Sequence, residues 1–179
     1  METLPFAELG LSPKVLAAVE ASGYSIATPI QSEAIPVAIS GRDVLGIAQT
    51  GTGKTAAFTL PMITRLETGR ARARMPRSLI LAPTRELAAQ VAQAFEKYGI
   101  NHKLDVALLI GGVSMDEQTK KLDRGVDVLI ATPGRLLDHV PPGPRREPAG
   151  VPRHGSATEP SRRRDILTRC ASSRAALRS

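Results

Sequence analysis

Three short runs of this chain are apolar almost from end to end: Ser78 to Ala82 (S-L-I-L-A), Val106 to Ile110 (V-A-L-L-I) and Asp127 to Ala131 (D-V-L-I-A). A strand with one face in water alternates apolar and polar residues. A run without alternation is a strand covered on both faces. Helical stretches separate the runs, Glu86 to Tyr98 and Met115 to Arg124. Strand and helix in alternation predict an α/β fold with a parallel sheet covered by helices, because parallel neighbours need a crossover long enough to hold a helix. The core must be aliphatic, since 42% of the residues are hydrophobic but only 3% are aromatic and none is Trp.

Helix starts are marked by their caps. Ser12-Pro13 places a capping hydroxyl and a first-turn proline ahead of Lys14 to Ala21, and Thr28-Pro29 repeats the device ahead of Ile30 to Ile39. Ser114 and Glu117 fit a capping box, and Thr132-Pro133 opens a short helix through about His139. Arg70 to Arg77 reads as a basic, solvated loop.

Residues Ala48 to Thr55 read A-Q-T-G-T-G-K-T. They follow an apolar run, Val44-Leu45-Gly46-Ile47, expected to be a strand, and precede a helix-like run, Ala56 to Leu60. A glycine-rich turn at a helix N-terminus is an anion site: its N–H groups point inward and the helix dipole favours negative charge. Thr50, Gly51, Thr52 and Gly53 would cradle phosphates. Lys54 can reach the β- and γ-phosphates of a nucleotide, and the Thr55 hydroxyl can bind Mg²⁺. Gly51 and Gly53 allow close backbone approach. Ala48 stands where the general pattern has Gly, so the pattern is only nearly met.

The formal charge of +7 is unevenly placed. Residues 141–179 carry nine of the 24 basic and three of the 17 acidic residues, so residues 1–140 are nearly neutral. The high overall charge is therefore no argument that the folded part binds nucleic acid. The same stretch holds six prolines and nine arginines but no Lys, Phe, Tyr or Met. It reads as a disordered tail. Its composition also resembles a GC-rich gene translated in a shifted frame, and that reading is favoured over a genuine basic tail. Ser156-Ala157-Thr158 and Arg162-Arg163-Arg164 lie in it and are read as chance and as a solvated run. A single cysteine, Cys170, excludes an intrachain disulfide, and the first residues show no secretory signal. No apolar run approaches membrane-spanning length. A cytoplasmic setting without membrane contact is expected.

Phe6, Gly23-Tyr24, Thr28-Pro29-Ile30-Gln31, the phosphate loop, Pro83-Thr84-Arg85-Glu86-Leu87, Gly111-Gly112 and Thr132-Pro133-Gly134-Arg135 occur in the order of the DEAD-box RNA helicases. The chain resembles that family from about Phe6 to His139, and within it the bacterial RhlE-like subgroup. The resemblance implies a Q-motif helical region over 1–40, a partial RecA-like ATP-binding domain over 41–140, and the tail over 141–179. It implies that Gln31 reads adenine, since a carboxamide can pair with the N6 amine and N7 together. It implies that Phe6 packs on the base and that ATP and Mg²⁺ are the cofactors, with Lys54 and Thr55 serving catalysis. A solvated helix residue and a hydrophobic staple are the plainer readings of Gln31 and Phe6.

Pro83, Thr84, Arg85, Gly111, Gly112, Thr132, Pro133, Gly134 and Arg135 match positions that hold RNA by its sugar-phosphate backbone. In a parallel sheet these segments fall at the carboxyl ends of strands, where open α/β sheets bind ligands. Thr84 and Thr132 could equally cap their helices. Arg42 and Arg124 match nothing and are read as surface charges. The family's acid motif, D-E-A-D, does not occur in these 179 residues, and neither does a second RecA-like domain. Three readings follow: an ATP-dependent RNA helicase truncated before its acid motif, a non-catalytic adenine-nucleotide and RNA-binding fragment, or the nonfunctional product of a frameshifted gene. In the family sheet the strands carrying D-E-A-D and S-A-T are interior. Without them the strand before the phosphate loop has a bare edge, and a marginal, aggregation-prone fragment is expected.

Overall fold

The computed structural model of the chain describes residues 3–69 and 76–139. A short 3-10 turn at Phe6–Glu8 leads into α1 (Pro13–Ala21) and α2 (Pro29–Ile39). Then follow α3 (Lys54–Leu66), β1 (Ser78–Leu81), α4 (Arg85–Tyr98), β2 (Val106–Leu109), α5 (Met115–Arg124), β3 (Val128–Ala131) and α6 (Pro133–His139). Each α1–α6 and β1–β3 lies on a segment whose sequence predicts that type. Ser12 caps α1 by accepting from Val15 N at 3.4 Å, and Thr84 caps α4 by accepting from Leu87 N at 3.2 Å. The expected Ser114 capping box does not form, as the Ser114 side chain makes no cap bond. None of the described helices is long and apolar enough to cross a membrane.

The sheet is parallel, in the order β1-β3-β2, with Val128 opposite both Ser78 and Val106. β3 is central, and all four of its residues are fully buried. Its side chains alternate between two cores. Val128 and Ile130 pack with Val15, Ile35, Leu60, Ile63, Val91 and Phe95 on the α1–α4 side. Leu129 and Ala131 pack with Leu109, Leu122 and Leu136 on the α5–α6 side. This explains the lack of alternation in the sequence run: both faces of β3 need apolar side chains.

Two further sequence expectations are corrected. Val44–Ile47 pairs with no strand among the described residues, and Leu45 and Ile47 are 82% and 86% exposed. Apolar composition favours a strand only where a neighbour offers ladder bonds and cover. Arg77, expected to be a solvated loop residue, is instead a tie: it donates to Leu66 O at 2.8 Å and Thr68 O at 2.6 Å, and pairs with Asp127 at 3.5 Å. Those acceptors lie at the end of α3 and just before β3, which the linear sequence does not bring together. The rest of the basic loop, residues 70–75, and the tail from 140 lie outside the described residues.

Candidate functional site

The phosphate loop turns from Thr50 to Gly53 and opens α3 at Lys54. Gly51 and Gly53 have φ of 82° and 87°, the left-handed region that side chains disfavour. The Lys54 ammonium donates to Ala48 O at 2.6 Å, and the Thr52 hydroxyl to Gln49 O at 2.8 Å. Ala48 therefore serves the turn through its carbonyl, which any residue carries. Thr55 is half-buried in the first turn of α3.

Helix α2 is bound to this loop by two side chains. The Thr28 hydroxyl donates to Thr52 O at 2.9 Å, and Gln31 Nε2 donates to Gly53 O at 3.1 Å. Gln31 Oε1 accepts from Thr28 N at 2.9 Å. The amide orientation is unambiguous, since a flip would set oxygen against oxygen and N–H against N–H. Gln31 is 6% exposed. Its remaining capacity is one lone pair on Oε1 and one hydrogen on Nε2, the donor–acceptor pair that an adenine edge requires. A Cβ at Gly53 would run into the Gln31 amide, so the glycine serves both the turn and this contact. Phe6 lies in the main core at 6% exposure, with little ring surface left for a base.

Pro83, Thr84 and Arg85 follow β1, Gly111 and Gly112 follow β2, and Thr132, Pro133, Gly134 and Arg135 follow β3. Parallel register brings the three segments side by side at the carboxyl ends of the strands. A Cβ on Gly111 or Gly112 would lie 2.9 or 3.0 Å from the Arg85 guanidinium, so Arg85 rests against that turn. Arg85 is exposed and forms no ion pair among the described residues. Backbone N–H bonding at the start of α4, then the Thr84 hydroxyl, then Arg85, hold the Glu86 carboxyl below its ordinary range. This helix start favours an anion. Thr132 does not cap α6 with its hydroxyl, which faces Leu109 O at 3.5 Å while Thr132 N donates to the same oxygen at 3.0 Å.

Arg135 points inward. It donates from Nε to Gln118 Oε1 at 2.9 Å and from a terminal nitrogen to Val113 O, and it lies 3.8 Å from Asp138. Sequence reasoning missed Gln118, which is 5% exposed and donates from Nε2 to Ile110 O at 2.9 Å. A signal was available: Met115, Gln118 and Leu122 follow the 3–4 spacing of an inward helix stripe, and Gln118 is its one polar member.

The family model described as DEAD/DEAH box helicase matches residues 28–153. The chain belongs to this family. An ATP-dependent rRNA helicase, rrp3, of Emericella nidulans is 48% identical over 138 residues, covering 75% of this chain and 28% of that protein. The ATP-dependent RNA helicase RhlB of Xanthomonas campestris is 49% identical, covering 76% and 25%. Among solved structures, the RNA-helicase Prp28 from Chaetomium thermophilum bound to ADP aligns with a TM-score of 0.69 and 42% identity over 75% of this chain and 33% of that one. The DEAD-box chain thus has the partial RecA-like fold of its family and spans about a quarter of the length of these curated relatives. Identity is similar across fungal and bacterial members, so no subgroup is singled out.

Proposed function

We propose that this chain holds adenine nucleotide and the sugar-phosphate backbone of RNA as the first domain of an ATP-dependent RNA helicase. The observation that carries the reading is the junction of α2 with the phosphate loop: the residue expected to read the base bonds to the turn expected to hold the phosphates. Base and phosphate recognition are then one rigid unit, which suits a nucleotide better than a free anion. Prp28, similar to this chain, was solved with ADP.

Lys54 would leave Ala48 O for the phosphates, and Thr55 would give Mg²⁺ one hydroxyl ligand. Among the described residues no group of three His, Cys, Asp or Glu could hold an ion, so Mg²⁺ would arrive on the phosphates. The ion would neutralise charge on the phosphates; this chain's residues bind and orient them. Hydrolysis also needs a carboxylate to orient water. The proposal is that this chain alone binds without turnover, and that RNA-stimulated hydrolysis requires the acid motif and a second domain. Arg85, with the Gly111–Gly112 turn, would meet RNA phosphates and read no bases. A cytoplasmic setting is proposed from the single cysteine.

The test is titration with fluorescent ADP and GDP. ADP should bind more tightly, Lys54→Ala should weaken both, and Gln31→Ala should erase the preference. Equal affinity for the two nucleotides in the unaltered chain would refute adenine reading. RNA-stimulated turnover by this chain, abolished in Lys54→Ala, would refute the claim of binding without hydrolysis.

A further inference from the structure

The segment after β2 is held from two sides, by Gln118, which the RNA-backbone reading does not use, and by Arg135, which the sequence places among the RNA-binding positions. Gln118 Nε2 donates to Ile110 O, just before Gly111, and Arg135 donates to Val113 O, just after Gly112. Gln118 Oε1 joins the two holds by accepting from Arg135 Nε at 2.9 Å, and it lies 3.2 Å from His139 Nε2. The carbonyl before the glycine pair is thus fixed by the buried Gln118 amide and the one after it by Arg135, and the amide ties both to α6 through its bond with Arg135. Gly112, at φ 86°, makes the turn that exposes the backbone toward Arg85. Of the two arginines, Arg135 is internal at 14% side-chain exposure, whereas Arg85 has no ion pair among the described residues.

We propose that Gln118 is a positioning residue for RNA: through Ile110 O and Arg135 it locks the Gly111–Gly112 turn as a rigid lip, on which Arg85 meets the phosphate. This rests on the RNA-backbone reading above. Arg135 belongs to the scaffold of that lip. A loose turn would have to be ordered each time RNA binds, and ordering costs affinity without any change in charge.

The experiment measures binding of a labelled oligouridine across a salt series, with fluorescent ADP as the control ligand. Gln118→Leu removes the bonds to Ile110 O, Arg135 and His139 and should weaken RNA about tenfold, while ADP affinity stays within about twofold. The slope of log Kd against log salt should not change, because no phosphate contact is removed. Arg85→Gln should weaken RNA and also lower that slope by about 0.7, the value for one phosphate contact on a single strand. Gln118→Glu keeps the acceptor for Arg135, loses the donor to Ile110, and should weaken RNA about threefold. It carries the test if the leucine variant does not fold. RNA affinity unchanged in both Gln118 variants, with Arg85→Gln still weakening RNA, overturns the proposal while leaving the RNA reading intact. RNA and ADP affinity falling together overturns it in favour of general damage. An unaltered chain that binds no RNA at low salt overturns the RNA reading and the proposal with it.

Discussion

Replacing Gly53 with alanine tests the junction between α2 and the phosphate loop. The residue sits at φ 87°, where a side chain costs about 1–2 kcal/mol. The new Cβ would also point into the Gln31 amide and lie 3.3 Å from the Thr28 hydroxyl. Gln31 would have to swing away, losing its bonds to Gly53 O and Thr28 N. At about 0.5–1.5 kcal/mol each, the two bonds add about 1–3 kcal/mol. The whole cost is then about 2–5 kcal/mol, a large share of the ~5–15 kcal/mol of an ordinary domain. Strain and collision separate in a double-mutant cycle. In a Gln31→Ala background there is no amide to strike, so Gly53→Ala should cost only the ~1–2 kcal/mol of the dihedral. Urea unfolding of the four proteins, followed by circular dichroism with slopes checked for constancy, gives the coupling directly. A cost equal in both backgrounds to within ~0.5 kcal/mol would refute the reasoning, since independent sites add to about that precision.

Two further outcomes are expected. The His102 side chain is 2% exposed and its ring nitrogens lack hydrogen-bond partners among the described residues. Burial, the larger cause, and Lys14 push its pKa below the ordinary 6.5, while Glu67 at 3.7 Å works the other way. The unfolded chain then takes up the proton first, so this contribution to stability is complete above pH 6.5 and is lost as the pH falls below it. His102→Phe should flatten the urea midpoint between pH 7.5 and 5.5; an unchanged acid slope would rule the ring out. At the exposed Leu45 and Ile47, Leu45→Lys with Ile47→Glu should reduce light scattering of the concentrated chain without lowering its melting temperature. A soluble, sharply melting monomer of the unaltered chain would show that these residues carry no aggregation hazard.

Elements were legible in the sequence where local signals agreed with the tertiary setting. Ser12, Thr84 and the apolar run at 128–131 each announced the structure they form. Val44–Ile47 misled because apolarity is a property of a segment, whereas a ladder needs a neighbour. The phosphate loop was legible since turn, glycines and lysine are contiguous. Gln31 was legible as a residue but not as a bond to Gly53 O, 22 residues away. Gln118 to Arg135 spans 17 residues and Arg77 to Asp127 spans 50, and no periodicity encodes such pairings. Phe6 and Arg135 show the converse: a motif names a position, and packing decides which way its side chain faces.

The order β1-β3-β2 also governs assembly of the chain. Among the described residues the two outer strands share no ladder with each other; each bonds to β3, which follows both in the chain. A nascent chain halted before Val128 would carry two hydrophobic ribbons with nothing between them. Insertion of β3 closes both pairings at once, across 50 and 22 residues, so zippering of this sheet should be cooperative. Until then these ribbons are the part of a ribosome-bound intermediate that a chaperone would shield.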